Sequence, residues 1–552
     1  MRLAGPLGLH GRPLTLVVSE HAVICGRPSG EGGHDESHDE AVRSQAVASR
    51  GGATGSAQIA PVSGWRRVVT DWSAVGVATA LCHALGAVTS LLLRMLLSPA
   101  EMGIWQGLKL LLSYGNYANV GISKGAAREY TVALGRGDTD RARRGLDLAL
   151  TVNTVTSLLY GLALVGAGLW IGWSGHGAWA GSWAGGLMVI GAVAVLSRYV
   201  SFHVTLLRAS QAFGVAARVA VLEALLTLAV CGWATWQFGL PGLYGGTVAV
   251  VLGTLVYVVA HRAVSLGWAW DAGEARRLVA IGAPILLAGT ISSLLRSLDK
   301  WMILGYLPDR EFQLGCYSLA LMVTAQLYGL ANMLAMVMAP RYGEAYGRWG
   351  SEAAVARLAA RSTEAIASLV ALPAGLSLVV AGPLLGRLLP DYRPGFGPLL
   401  WLVPGVAALG LSLPATQYLV AVGRQKRALV AAVVGTAMAA AGNHVALTTG
   451  LGLAGVAAAS ALAYAGYYVL CVGMSLWPHL AGPERMRYLA AIGMVTVPTL
   501  AAAVGCELVQ AGWQGSWAVL GVKSAAILAV WAAGATAVWH WGGWPHARAR
   551  AR

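Results

Sequence analysis

The chain has 552 residues, of which 57% are hydrophobic and only 11% charged, and its mean hydropathy is +0.62. About a quarter of the residues of a soluble domain are charged, so this composition excludes a soluble protein and predicts an all-α protein that crosses a membrane many times. The net charge of +15 does not indicate a nucleic-acid partner, because the basic residues lie in short loops between apolar runs.

Residues 1–64 differ in composition from the rest of the chain. They contain five Arg and six Asp or Glu, with no apolar run long enough to span a membrane and no signal-peptide pattern. The acidic run from His34 to Glu40 is typical of a solvated segment, since nothing near it would hold metal ligands in place. We therefore expect a disordered N-terminal extension. A downstream start of the natural protein is the alternative that the residues leave open.

Apolar runs of about 20 residues, long enough to cross about 30 Å of hydrocarbon, follow this extension. They predict fourteen transmembrane helices, at residues 71–97, 99–123, 146–172, 179–206, 218–238, 241–261, 278–304, 314–339, 363–386, 397–421, 428–449, 454–476, 487–509 and 516–540. The second run begins with Ser98-Pro99-Ala100-Glu101, which has the form of a capping box and gives Glu101 a structural role.

The charges of the loops orient these helices. With fourteen spans, 25 Lys and Arg residues fall on one side of the membrane, whereas only Arg310, Arg387 and Arg393 fall on the other. Loops rich in Lys and Arg remain in the cytoplasm, so both termini are predicted to be cytoplasmic.

Each half of the chain contains a short sequence motif that places an arginine inside an apolar helix. The first runs from Thr89 to Arg94 (TSLLLR) and the second from Ser292 to Arg296 (SSLLR). The following helices open with Gly103-Ile104-Trp105 and Gly315-Cys316-Tyr317. Both copies start from the same side of the membrane, which predicts parallel repeats with a substrate between them. The expected domains are an N-terminal lobe of six helices (65–262), a C-terminal lobe of six (263–480), and two further helices with a basic cytoplasmic tail (481–552).

Several other polar side chains lie within the apolar runs. A polar group on an apolar helix must face protein or water, because lipid cannot satisfy it. The first half contributes basic side chains and no acid well inside the membrane, which favours an anionic substrate over a cationic one. The expected substrate-binding residues are Arg94, Lys109, Asn116, Arg198, Arg296 and Lys300. Asp299 is predicted to be either a salt-bridge partner of Arg296, three residues away, or an ion-coupling residue.

The chain resembles the polysaccharide transporters of the multidrug/oligosaccharidyl-lipid/polysaccharide flippase superfamily, which include bacterial O-antigen flippases. The phrases that carry the resemblance are 97–105 (LSPAEMGIW), 281–285 (IGAPI), 297–300 (SLDK), 315–320 (GCYSLA), 339–342 (APRY) and 423–426 (GRQK). The likeness extends from about residue 70 to residue 480, and the N-terminal extension departs from it.

This resemblance implies a MATE-like fold of two six-helix lobes and alternating access to a central cavity. It also implies an undecaprenyl-diphosphate-linked oligosaccharide, such as an O-antigen repeat unit of lipopolysaccharide, as the substrate in the bacterial cytoplasmic membrane. Membrane lipids and the glycan polymerase or glycosyltransferases of the same pathway are the expected partners.

Two other functions remain open. A cation-coupled multidrug antiporter of the same superfamily would share the fold, and a membrane glycosyltransferase or ligase is the enzymatic alternative. An enzyme would need acid–base residues in a large external loop, whereas the predicted external loops are short. The run Gly450–Gly455 fits GxGxxG but joins two spans, so it does not indicate a nucleotide site. No Walker motif, metal motif or cofactor motif is present, and the chain is predicted not to be an enzyme.

Overall fold

The computed structural model describes residues 64–135, 138–175, 177, 179–209, 212–261, 267–508 and 517–541. Within these ranges every regular element is helical and no strand occurs, which confirms the predicted all-α membrane fold. Residues 1–63, which hold nearly all of the predicted disordered extension, and the basic tail from 542 onward lie outside the described residues.

Seventeen α-helices are found in the described part of the chain. In chain order they are α1 (Gly64–Leu96), α2 (Pro99–Gly115), α3 (Ile122–Gly135), α4 (Thr139–Ser174), α5 (Ala180–Ala209), α6 (Phe213–Leu226), α7 (Gly232–Ala260), α8 (Ala272–Leu295), α9 (Leu298–Tyr306), α10 (Arg310–Trp349), α11 (Glu352–Leu388), α12 (Phe396–Leu411), α13 (Leu413–Ala421), α14 (Gln425–Thr448), α15 (Gly452–Ser475), α16 (Gly482–Leu508) and α17 (Trp517–Trp541).

Eleven helical segments of the described chain are long and apolar enough to cross a membrane, or twelve if one bent pair is counted as a span. The predicted count of fourteen is therefore not confirmed. The difference arises at three places, where a helix is broken or where two helices follow each other without a loop.

One of these places is the run from Gly214 to Ala260, 47 helical residues in sequence. A straight helix of that length would extend for about 70 Å, more than twice the thickness of the hydrocarbon layer. The run reverses direction at Gly239, whose φ of 59° and ψ of −139° are accessible only to glycine. A Cβ atom on Gly242 would lie 1.9 Å from the carbonyl oxygen of Ala234, although eight residues of continuous helix would separate them by about 12 Å. The two predicted spans 218–238 and 241–261 therefore form a hairpin.

The second predicted span is broken between α2 and α3, at residues 116–121, and the seventh is broken between α8 and α9, at Arg296 and Ser297. Helix α8 also bends by 42° between Ala283 and Leu286, next to Pro284 in the sequence. The two breaks lie side by side, since the hydroxyl of Tyr114 is 2.7 Å from that of Ser297. Broken helices leave main-chain groups unpaired, and these are tolerated within a membrane only inside protein or beside water.

The start of α2 follows the sequence prediction in detail. The hydroxyl of Ser98 accepts a hydrogen bond from the main-chain nitrogen of Glu101, and the carboxylate of Glu101 accepts one from the main-chain nitrogen of Ser98 at 2.9 Å. The capping box is confirmed, and Glu101 has a structural role.

Helices α2 and α10, which open the matched segments of the two halves, cross without side chains between them. A Cβ atom on Gly103 would lie 1.7 Å from the carbonyl oxygen of Glu311, and one on Gly315 would lie 1.7 Å from that of Pro99. Pro99 and Glu311 each precede their glycine by one helical turn, so the contact is symmetric. We call this contact the glycine crossing. The exact lobe boundaries at residues 262 and 480 remain predictions.

Candidate substrate-binding site

The predicted basic residues lie at different distances from one end of the helix bundle. We define the outer face as the one at which α1 and α9 end and α2, α5 and α10 begin, and we name it for the orientation predicted from the loop charges. From these helix ends, the residue counts place Arg94 about 3 Å deep, Lys300 about 9 Å, Lys109 and Arg296 about 15 Å, and Arg198 about 27 Å. The positive charges thus descend from the outer face towards the opposite side.

Arg94 lies at the outer end of this series and joins the two halves. Its guanidinium donates to the carbonyl oxygen of Ser318 on α10 at 2.8 Å and to the hydroxyl of the same residue at 3.1 Å. It also donates to the carbonyl oxygen of Ser90, one turn back on α1, at 2.7 Å. Near it, the hydroxyl of Tyr392 donates to the carbonyl oxygen of Leu97 at 2.9 Å. Arg94 is 3% exposed and therefore belongs to the closed contact beside the glycine crossing.

Lys109 and Lys300 form a pair of positive charges between α2 and α9. Lys109 is exposed and lies close enough to both Arg94 and Lys300 for their charges to repel. Neither lysine forms an ion pair within 4.0 Å with an acid in the described part of the chain. Asp299, the residue before Lys300, is the nearby acid, and its carboxylate accepts a hydrogen bond from the main-chain nitrogen of Lys300. Like charges this close repel each other, and an anion between Lys109 and Lys300 would stabilise the pair.

Arg198 is held by two asparagine side chains, one at the break between α2 and α3 and one on α4. It donates to the amide oxygen of Asn116 at 3.0 Å and to that of Asn153 at 3.1 Å. Asn119 continues the network towards Ser123, with a hydrogen bond of 2.9 Å. Asn116 is therefore placed beside Arg198, at the break between α2 and α3. The Nε of Arg198 is buried and has no hydrogen-bond partner among the described residues.

Arg296 lines a cavity of about 320 Å³ within the second half. Its guanidinium lies over the ring of Tyr328, with its central carbon 5.5 Å from the ring centroid. The other polar side chains that line the cavity are neutral: Ser292, Tyr328, Asn332, Ser412, Thr416, Gln417, Gln425 and Tyr467. No carboxylate of the described residues lines this cavity. The arrangement offers one cation and many hydrogen-bonding groups, which suits a compact anion.

The predicted salt bridge between Arg296 and Asp299 is wrong. Asp299 is 1% exposed and accepts hydrogen bonds of 2.8 Å from the hydroxyl of Tyr317 and from the main-chain nitrogen of Lys300. Residues three apart share a face only along a continuous helix, and the helix ends at Arg296. Arg296 consequently turns to Tyr328 and not to the carboxylate.

Sequence reasoning missed three residues that hold the predicted ones in place: Asn153, Ser318 and Tyr328. Asn153 lies in the apolar run of the third predicted span, where a buried amide could have been recognised as an unusual polar group. Ser318 and Tyr328 carry no comparable signal, because serine and tyrosine are common in membrane helices. Their contacts depend on which helices become neighbours.

The sequence of the chain is similar to that of a known protein family. A family model described as "Polysaccharide biosynthesis protein" matches residues 92–389, more than half of the chain. No curated protein matches it.

Among solved structures, the chain is similar to an inward-facing multidrug resistance MATE family transporter of the MOP superfamily, with 15% identity, 74% of this chain and 95% of that chain covered, and a TM-score of 0.59. The lipid II flippase MurJ in an inward closed conformation gives 12% identity, 84% and 98% coverage, and a TM-score of 0.63. A MOP superfamily transporter from Pyrococcus furiosus, described by a reverse polarity of its binding pocket, is 15% identical to this chain, with a TM-score of 0.55. The match covers 76% of this chain and 96% of that chain. At these identities the similarity shows a shared fold.

Proposed function

We propose that this chain, which belongs to the polysaccharide biosynthesis protein family, moves an undecaprenyl-diphosphate-linked oligosaccharide across the bacterial cytoplasmic membrane by alternating access. The observation that carries the proposal is the cavity around Arg296, where a cation is surrounded by neutral hydrogen-bonding side chains and no carboxylate of the described chain. Guanidinium forms paired hydrogen bonds with phosphate oxygens, which makes a diphosphate the best match.

The size of the cavity narrows the part of the substrate that it would hold. At about 320 Å³ it lies at the small end of ligand pockets. It therefore suits the diphosphate headgroup better than an entire oligosaccharide. Lys109 and Lys300 lie at similar or shallower depths and would continue the positively charged path from this cavity towards the outer face.

The lipid tail needs a route that remains in contact with the bilayer. Helix α1 packs loosely, since a Cβ atom on Gly76 or Gly86 would have no neighbouring atom within 4 Å. Its exposed apolar side chains include Val77, Leu81 and Val88. We place the polyprenyl chain beside this helix, while the headgroup lies among the basic residues.

Alternating access would come from rocking of residues 65–262 against residues 263–480. On the outer side the halves touch through the glycine crossing and Arg94. On the opposite side α3 contacts α8 through an ion pair between Glu129 and Arg277, 3.0 Å apart. Opening one of these contacts while the other stays closed would expose the headgroup to one side of the membrane at a time. The bend next to Pro284 is the proposed hinge.

Asp299 is the proposed ion-coupling residue. Its carboxylate is buried and accepts a hydrogen bond from the hydroxyl of Tyr317. On the neighbouring helices, the hydroxyl of Ser460 donates to the amide oxygen of Asn443 at 3.2 Å. A buried carboxylate that forms no ion pair among the described residues is stabilised by binding a proton or a small cation. Asp299→Asn should remove the dependence of transport on a pH or sodium gradient, whereas Tyr317→Phe should only weaken it.

A multidrug antiporter with the same fold is the second candidate. Export of organic cations would favour a carboxylate in the cavity, whereas the cavity around Arg296 contains an arginine. A membrane glycosyltransferase is disfavoured because solved structures with this fold include a multidrug transporter and a lipid II flippase.

The test uses purified full-length protein in detergent, with undecaprenyl diphosphate as the probe and undecaprenol as the uncharged control. The diphosphate should raise the thermal unfolding midpoint of the wild type more than undecaprenol does, and Arg296→Ala should abolish the difference. Arg348→Ala, on the exposed end of α10, serves as the matched control and should behave as the wild type. Equal stabilisation by the two lipids, or an unchanged response of Arg296→Ala, would contradict the proposal.

A further inference from the structure

A second and larger cavity, of about 1170 Å³, opens at the outer face. Its walls come from both halves: the end of α4 and the start of α5 on one side, and the segment from Leu304 to Phe312 on the other. The volume exceeds that of the cavity around Arg296 more than threefold and reaches the upper end of ligand pockets. We call it the outer cavity.

Four aromatic side chains contribute to the walls of the outer cavity. Trp170, Trp179, Trp183 and Phe312 all line it. Trp183 is fixed in orientation, because its indole nitrogen donates to the carboxylate of Glu311 at 3.0 Å. Trp179 is 36% exposed and Trp170 is 69% exposed, so their ring faces are open to a ligand. Flat rings of this kind pack against the apolar C–H faces of sugar rings, while the sugar hydroxyls remain free for hydrogen bonds.

The charges of the outer cavity differ from those of the cavity around Arg296. Arg310 pairs with Glu311 at 3.2 Å, so these two charges cancel. Asp309 is exposed and has a left-handed backbone with φ of 46°. Its carbonyl oxygen accepts a hydrogen bond of 3.0 Å from the main-chain nitrogen of Gln313, whereas its carboxylate has no hydrogen-bond or ion-pair partner among the described residues. The walls therefore carry a net charge of about −1, which repels an anion. Carboxylates accept short hydrogen bonds from hydroxyl groups, which a neutral sugar offers in abundance.

The position of the outer cavity connects it with the closed contact below. Glu311 lines the cavity, and its carbonyl oxygen is the group that Gly103 approaches in the glycine crossing. The cavity thus lies directly above the contact that must open for anything to leave on this side. A glycan that passed this point would meet Trp183 and Glu311 first.

We propose that the outer cavity binds neutral sugar units of the exported oligosaccharide, while the diphosphate is held deeper at Arg296. The inference rests on the proposed function, because it takes the outer face to be the side of release. It narrows the substrate class to glycans in which the units that reach the cavity carry no phosphate or carboxylate. Tryptophans that serve only as an aromatic belt at the membrane surface would bind no sugar, and the test below separates the two roles.

The experiment measures binding of soluble oligosaccharides to full-length protein in nanodiscs by saturation-transfer NMR. The probes are neutral trisaccharides containing glucose, galactose, mannose, rhamnose or N-acetylglucosamine, together with a trisaccharide of glucuronic acid. At least one neutral probe should bind and the acidic one should not. Trp179→Ala should weaken the binding of that probe about tenfold, the scale expected for loss of one aromatic contact, and Asp309→Asn should also weaken it.

Trp173→Ala is the matched control, since Trp173 is 90% exposed, lies one turn from Trp170 and does not line the cavity. It should bind the probe as the wild type does. The inference is overturned if no neutral probe binds, if the acidic probe binds equally well, or if Trp179→Ala and Trp173→Ala behave alike. Arg296→Ala should keep sugar binding while it loses the response to undecaprenyl diphosphate, so failure of this inference and failure of the proposed function give different results.

Discussion

Gly103→Ala tests whether the glycine crossing closes the outer side of the transporter. The new methyl carbon would lie 1.7 Å from the carbonyl oxygen of Glu311. Both groups belong to helix backbones, so no side chain can rotate to relieve the overlap. The two helices would have to separate by about 1.5 Å to reach a tolerable carbon–oxygen distance of about 3.2 Å.

The magnitude follows from the usual penalty for inserting a methyl group into a packed interface, about 1 to 3 kcal/mol. If the crossing exists only in the state that is closed on the outer side, this penalty falls on that state alone. The equilibrium should then shift towards outer opening by a factor of about 5 to 150, since 1.4 kcal/mol corresponds to a tenfold change. Gly315→Ala should produce a similar shift, because its methyl group would meet Pro99 at the same distance.

The assay is modification of a single introduced cysteine, Ser318→Cys, by a membrane-impermeant maleimide added from the outer side. The native cysteines are replaced beforehand, and Ser318 is chosen because it is fully buried beside Arg94. Gly103→Ala should raise the rate of modification by the factor given above. Gly86→Ala is the matched control, since a Cβ atom on Gly86 meets nothing within 4 Å.

An unchanged modification rate in a Gly103→Ala protein that elutes and unfolds like the wild type would refute this reasoning. It would mean either that the crossing persists in every state or that the helices separate without opening a path. A rise of the same size in Gly86→Ala would point to general loosening and would equally refute it.

Three further predictions concern local contacts. Ser98→Ala removes the cap of α2 and should lower the free energy of unfolding by about 1 kcal/mol, measured by thermal unfolding against the wild type. Arg198→Lys keeps the charge but cannot reproduce the forked pair of hydrogen bonds; transport should fall while the amount of protein in the membrane stays constant, and equal transport would contradict this. Arg277→Glu places like charges beside Glu129 and Glu274, so hydrogen exchange of α3 should become faster. Adding Glu129→Arg should restore the slower exchange, and failure to do so would show that the ion pair does not join α3 to α8.

Much of the fold could be predicted from the sequence because each signal was local. The cap at Ser98 depends on four consecutive residues, and the apolar runs depend on windows of about 20 residues. The hairpin at Gly239 was predicted as two spans for the same reason, although the structure joins them without a loop. The count of fourteen remains unconfirmed because hydropathy does not indicate where a helix breaks, as it does at residues 116–121 and at Arg296.

The candidate site was harder to predict because it depends on how far each side chain lies from the helix ends and on which helices pack against each other. The matching phrases around Arg94 and Arg296 suggested equivalent positions. The segment between the arginine and the next helix is longer in the second half, since α9 continues for nine residues beyond the break. Arg296 consequently lies about 15 Å from the outer helix ends, and Arg94 lies about 3 Å from them. A repeated phrase indicates common sequence, but only the lengths of the flanking helices determine where its side chains lie.

The unequal depths of these two arginines have a kinetic consequence. Arg94 is buried in a contact between the halves, where its terminal guanidinium nitrogens are hydrogen-bonded. Its loss should therefore change the maximal transport rate, which depends on how often the transporter cycles. Arg296 faces a cavity, so its loss should change the substrate concentration at half-maximal rate. An alignment of the two repeats would treat Arg94 and Arg296 as equivalent positions. We therefore expect them to differ in effect, with Arg94 affecting the turnover rate and Arg296 affecting substrate affinity.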